Sequence, residues 1–316
     1  MKKILSLIIS AVLILGLTAC GTASATYTIG ILEYSSHEAQ SLAVQGFIDV
    51  LTEKLGTDVA FDRQHASGDA NSATLIANNF VTKNVDLILA DNTQSLQIAS
   101  SATAVTPVLG AAVTDYAHAL DLGPGNSATG INVSGTSDLA PIEAQADMIL
   151  ELFPGIDKVA ILYCSSEVNS EYQASKMVSY LFQKGVLCNE FIFTDSNDLA
   201  SLVGSACDAG YKVIFTPTDN TVAECAQIVD NICRERKVAV ITGEKGICKA
   251  CGLATLSIDY YALGRKTGEM AYKILVEGAD ITQMPIEYDE NCTKLYNAEI
   301  AQALGANIPE DYIPIE

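Results

Sequence analysis

Leu87-Ile88-Leu89-Ala90-Asp91-Asn92-Thr93 and Val213-Ile214-Phe215-Thr216-Pro217-Thr218-Asp219-Asn220-Thr221 decide how this chain is read. Each opens on a short apolar run without polar alternation, as in a strand buried on both faces, and each ends in Asp-Asn-Thr. The two lie about 130 residues apart in a chain of 316, and their neighbours repeat at the same separation. Val159-Ala160-Ile161-Leu162-Tyr163-Cys164-Ser165-Ser166 answers Ile29-Gly30-Ile31-Leu32-Glu33-Tyr34-Ser35-Ser36, and Val238-Ala239-Val240-Ile241-Thr242-Gly243 answers Pro107-Val108-Leu109-Gly110-Ala111. Amphipathic stretches long enough for helices separate the runs. The fold class is therefore α/β: two lobes, each a doubly wound parallel sheet with right-handed crossovers.

In such sheets ligands bind beyond the strand C-terminal ends, where helix N-termini present free N–H groups and a positive dipole end. The loops around residues 33–37, 91–93, 114–115, 165–170 and 217–221 occupy those places. Ser35-x-x-Glu38, Ser170-x-x-Gln173 and Thr221-x-x-Glu224 each fit a capping box.

Outside the repeat, Lys2 and Lys3 precede an apolar run over 4–17 that is too short for a comfortable membrane span. Residues 1–19 read as a lipoprotein signal peptide: Leu17-Thr18-Ala19-Cys20 resembles the bacterial cleavage box that leaves Cys20 for lipidation. Residues 20–26 read as a tether. The protein is then exported and held on the outer face of the cytoplasmic membrane, or is periplasmic. The net charge of −20 becomes −22 without Lys2 and Lys3, a surface that repels nucleic acid and anionic lipid.

Catalytic and metal signatures are missing from the sequence. The three histidines, His37, His65 and His118, form no ligand spacing with each other or with cysteine. No nucleophile elbow or phosphate loop occurs. Cys248-Lys249-Ala250-Cys251 has no second pair at zinc-ribbon spacing. The eight cysteines beyond Cys20 match no small disulfide framework and read as thiols. No metal, no cofactor and no enzymatic activity is expected.

Several stretches resemble the type I periplasmic-binding-fold substrate-binding proteins of ABC transporters, and within them the lipoprotein family that has tryptophan- and tyrosine-binding members. They are Gln45-Gly46-Phe47, residues 71–80 with Val85-Asp86-Leu87-Ile88, Ala112-Val113-Thr114-Asp115, Glu167-Val168-Asn169-Ser170, Pro217-Thr218-Asp219-Asn220-Thr221-Val222 and residues 253–265. The resemblance implies a three-crossing hinge, with 27–136 plus 257–284 as lobe one and 137–256 plus 285–316 as lobe two. It implies a small-molecule ligand, an aromatic amino acid, in the interlobe cleft, and ABC permease and ATPase partners. A branched-chain amino acid or nucleoside ligand, or a surface adhesin or sensor role, stands as the alternative.

The family's cleft positions fall on Ser36, His37, Thr93, Thr114, Asp115, Glu167, Asn169, Ser170, Asp219, Asn220 and Asp259. On chemical grounds a ligand carboxylate would take donors from Ser170 and Thr221, or Thr93. Its ammonium would pair with Asp115 or Asp219, and an aromatic ring could stack on Tyr34, Tyr116 or Tyr260.

Overall fold

The computed structural model describes residues 25–35, 37–123, 127–289 and 291–315. The signal segment 1–19, Cys20, most of the tether and Ser36 lie outside the described residues. Among the described residues no helix is long and apolar enough to cross a membrane.

The first half runs β1 (Tyr27–Glu33), α1 (Glu38–Leu55), β2 (Val59–His65), α2 (Ala70–Lys83), β3 (Leu87–Ala90), α3 (Thr93–Ala102), β4 (Val108–Val113), α4 (Tyr116–Ala119) and β5 (Val133–Ser137). The second runs α5 (Ile142–Leu152), β6 (Lys158–Cys164), α6 (Val168–Gln183), β7 (Leu187–Phe193), α7 (Leu199–Asp208), β8 (Val213–Thr216), α8 (Asn220–Glu224), α9 (Ala226–Glu235), β9 (Ala239–Thr242), α10 (Lys245–Cys251) and β10 (Ala254–Ser257). The chain ends with α11 (Tyr260–Leu275), β11 (Glu287–Tyr288), β12 (Thr293–Tyr296), α12 (Ala298–Leu304) and β13 (Ile313–Pro314).

The first sheet has the order β11-β5-β4-β3-β1-β2 and the second β13-β12-β10-β9-β8-β6-β7. Reversed, each reads second strand, first, third, fourth, fifth, so the sequence repeat is a repeat of topology. The central strands β3, β4, β8, β9 and β10 are buried at every residue, which is why β3, β4 and the first three residues of β8 and β9 read as apolar runs. Helices cover both faces of each sheet, with Phe47 and Leu51 in the core on one face of the first sheet and Phe80 and Leu96 on the other.

The chain leaves the first sheet after β5, and α11, entered from β10, packs back on α1 of the first lobe. β11 pairs with β5 in the first sheet, whereas β12 pairs with β10 in the second. The last crossing therefore lies between Tyr288 and Thr293, a few residues beyond Pro285. A fifth small core of Ala39, Ala112, Ala140, Ile258, Tyr260 and Leu263 sits where the crossings meet.

The helix starts differ from the capping-box expectation. His37, Glu167 and Asp219 are the N-cap residues of α1, α6 and α8, two or three residues away from the serines and threonine of those motifs. The reciprocal box occurs instead at α3, between Asn92 and Ser95. All eight described cysteines are free thiols, four of them buried.

Candidate ligand-binding cleft

Each sheet reverses its strand order beside its first strand, so the loops after β1 and β3 face those after β6 and β8 across the gap between lobes. Matching aspartates brace the two switch points. Asp91 accepts the Tyr34 N–H at 3.1 Å on one oxygen, tying the end of β3 to the end of β1. Asp219 accepts the Cys164 N–H at 2.7 Å and the Val222 N–H at 2.8 Å, tying β8 to β6 and starting α8. Burial pushes Asp91 up to about 7, and burial together with the Glu167 charge pushes Asp219 up to about 8.

Between these braces lies a narrow cavity, partly open to solvent. Lobe one lines it with His37, Ala39, Gln40, Asn92, Thr93, Ala112 and Thr114, and lobe two with Asn169, Thr218, Asp219, Asn220 and Glu244; Asp138 and Tyr260 close it at the hinge. Among the described residues no lysine or arginine lines this wall. Two polar atoms on it are buried without a partner among the described residues: the Asn92 Nδ2 donor from lobe one and the Asn169 Oδ1 acceptor from lobe two. A buried amide atom left unpaired is costly. Ala112 adds a second sign. A register shift between Gly110 and Val113 on β4 leaves it at φ 56, a left-handed conformation that alanine rarely adopts.

Side chains join the lobes directly. Gln40 Nε2 donates to Asn220 Oδ1 at 2.5 Å, and His37 Nε2 stands 3.5 Å from Glu244 Oε1. On the opposite rim the rings of His118 and Tyr172 meet at 5.5 Å. Burial alone would lower the His37 pKa, but the Glu244 carboxylate outweighs it and raises it. Burial would likewise raise Glu244; His37 and the Gly246 and Ile247 amides hold it below the usual carboxylate range.

Of the sequence-derived residues, His37, Thr93, Thr114, Asn169, Asp219 and Asn220 come together on the cavity wall. Glu167 stands behind it, accepting from the backbone N–H and side-chain nitrogen of Asn220 (3.0 and 2.7 Å) and from the backbone and hydroxyl of Thr221 (2.8 and 2.7 Å). Thr221 is thereby turned to an outer groove with Tyr34, and Ser170 is fully buried beneath Asp219. Asp115 caps α4 through the His118 N–H at 2.7 Å and lines a rim groove instead. Asp259 caps α11 through the Ala262 N–H at 3.0 Å and faces the groove behind the hinge.

Tyr116 is not a stacking surface: its hydroxyl donates to the Gly110 carbonyl at 2.9 Å inside lobe one. The glycines leave it room, since a Cβ at Gly135 would lie 2.3 Å from that hydroxyl oxygen. Gln40, Asn92, Ala112, Thr218, Glu244 and Asp138 line the cavity without having been anticipated. For Asn92 and Thr218 the signal was at hand, because both adjoin the repeated aspartate.

The chain matches the model of the ABC transporter substrate binding protein family over residues 28–313. A tyrosine-binding protein of Clostridioides difficile is 32% identical over 96% of this chain and 92% of its own length. Among solved structures, an ABC domain from Streptococcus pneumoniae in complex with L-Trp is 31% identical, with a TM-score of 0.85 over 90% of this chain and 96% of that one. The ligand-free, open structure of a substrate-binding protein with adhesive properties from Clostridium difficile is 33% identical, with a TM-score of 0.72 over 92% of this chain and 99% of that one. At nearly equal identity the closer superposition is on the tryptophan complex, in keeping with the side chains that join the lobes here.

Proposed function

Because the chain belongs to the ABC transporter substrate-binding protein family, we propose that it captures an aromatic amino acid between its lobes and hands it to a partner permease and ATPase. The observation that carries this is the pair of unpaired buried atoms, the Asn92 donor of lobe one and the Asn169 acceptor of lobe two, on residues that line one interlobe cavity. An α-amino acid supplies both complements. Its carboxylate would take Asn92 Nδ2 and the N-terminal turn of α3 beginning at Thr93; its ammonium would take Asn169 Oδ1, with the carboxylates of Asp219 and Glu244 on the same wall. With carboxylates and no fixed cation on the wall, an acidic side chain is disfavoured. The aromatic class is supported by the relatives that are named for tyrosine or bound to L-Trp.

Thermal-shift titration against the twenty amino acids and a few nucleosides tests the reading. A ligand at about 100 Kd adds roughly 2.7 kcal/mol and moves the midpoint by several degrees. Tyrosine, tryptophan or phenylalanine should do so, and glutamate and aspartate should not. A folded protein that no amino acid shifts would end the amino-acid reading.

Members of this family work outside the cytoplasm, and the anchor we assign is a lipid on Cys20. Labelling with a fatty-acid analogue should mark the protein in cells and be lost in Cys20→Ser. The protein binds without catalysing: its cleft acids serve as caps, braces and hydrogen-bond acceptors. An adhesive role beside transport is a second reading, favoured by the likeness to the adhesive clostridial protein. Beads coated with this chain would have to attach to cells for it to stand.

A further inference from the structure

The cavity has unlike ends. Toward the mouth are Asn169, Thr218 and Asn220, and Asn220 also lines the outer groove. Toward the hinge are Ala39, Ala112 and Tyr260, packed together in the small apolar core where the crossings meet. Ala39 and Tyr260 also line the groove behind the hinge, which fixes the direction. Two alanines and a tyrosine ring make that end of the wall the apolar one, the end suited to the apolar part of a ligand.

One charged group shares it. Asp138 follows β5 directly, on the first crossing, and is 6% exposed. Its Oδ1 accepts from the Thr114 hydroxyl at 3.0 Å and its Oδ2 from the Tyr260 hydroxyl at 3.0 Å. A carboxylate has about four acceptor sites, so capacity remains beyond these hydroxyls and the residue's own backbone N–H. Among the described residues no lysine or arginine pairs with it; burial pushes its pKa up, and the two hydroxyls and its own backbone N–H offset that only in part.

We propose that Asp138 sets specificity within the aromatic class by accepting a hydrogen bond from an O–H or N–H borne on the ligand's ring, favouring tyrosine or tryptophan over phenylalanine. The inference rests on the reading of this cavity as an aromatic amino-acid site. The preference is bounded by what Asp138 already has: with phenylalanine bound, both oxygens keep a hydroxyl donor, so the acid is underserved rather than stranded. A hydrogen bond to a charged group then corresponds to about tenfold to hundredfold in Kd.

Calorimetric titration of the whole protein with tyrosine, tryptophan and phenylalanine tests this. The wild type should bind tyrosine or tryptophan at least about tenfold more tightly than phenylalanine. Asp138→Asn should bring the ratio to within about threefold, mainly by weakening the ligand with the ring donor. Thr114→Val makes the opposite prediction and covers the case in which Asp138→Asn does not fold. Removing one of the acid's own donors makes it depend more on the ligand's, so the ratio should widen. Equal binding of tyrosine, tryptophan and phenylalanine by the wild type would overturn the role of Asp138 and leave the aromatic reading standing, as would an unchanged ratio in both variants. Failure of all three to bind would remove the aromatic reading and this inference with it.

Discussion

His37 has two functions that pull on its two nitrogens. Nδ1 accepts the Ala39 N–H at 3.2 Å and so caps α1, which leaves the proton of the neutral ring on Nε2, 3.5 Å from Glu244. Glu244 is itself the cap of α10, accepting from the Gly246 N–H at 2.5 Å and from that of Ile247. Two helix caps, one from each lobe, therefore meet across the cleft. Asparagine at position 37 would preserve the cap, being a favoured N-cap residue, but is too short to reach Glu244. His37→Asn is expected to leave the melting temperature of the free protein nearly unchanged while weakening ligand binding about five- to tenfold, somewhat less than a full hydrogen bond to a charged partner because the pair stands 3.5 Å apart. Melting and titration of the same preparation separate the two effects. A large loss of stability with unchanged affinity would mean that His37 serves only its helix.

α1 and α11 show the same economy at the level of elements, because their contact fastens the second hinge crossing to lobe one. A Cβ on Gly264 would lie 1.9 Å from the Ala43 carbonyl oxygen, and one on Gly46 would lie 2.2 Å from that of Tyr261. The helices touch backbone to backbone there. Gly264→Ala would force them apart and is expected to cost about 1–3 kcal/mol, read as a lowered denaturation midpoint at unchanged slope. Both glycines stand in stretches that mark the family resemblance, yet nothing local explains them, since the partners are more than two hundred residues apart in sequence. The strands were legible for the contrary reason: a parallel strand buried on both faces writes its environment into its own residues, and the repeat writes it twice. The cleft was legible only as far as the strand ends. Asp91 and Asp219 were visible as a repeated motif. Which neighbour faces the ligand depends on where each helix begins, and a shift of a residue or two turned Thr221 to Glu167 and Asp115 to its own helix. Asp138 and Glu244 lie outside the repeated motif, and what they face is decided by the other lobe.

Over the whole molecule the buried acids make stability and binding respond oppositely to pH. Asp91, at about 7, and Asp219, at about 8, are raised by burial, and Asp138 is raised for the same reason. A carboxyl with a raised pKa holds more protons folded than unfolded, so its ionisation opposes folding, and stability falls as pH climbs from about 4 to about 8. His37, also raised, acts in the same direction, because whatever its protonated form contributes is lost as pH rises through its folded pKa. The opposite shift of Glu244 is exhausted below its ordinary carboxylate range and cannot reverse the slope at higher pH. The ligand-free protein should therefore melt several degrees higher near pH 5.5 than near pH 8.5 at matched ionic strength. Ligand binding runs the other way. An ammonium brought beside Asp219 favours its charged form, so the complex releases protons and its affinity rises with pH up to about 8. Titration calorimetry in buffers of different ionisation enthalpy would count those protons directly. Proton release with a falling melting curve would establish that the cleft is held partly protonated until its ligand arrives; a pH-independent melting temperature with no proton release would mean that Asp91 and Asp219 are already ionised in the folded protein.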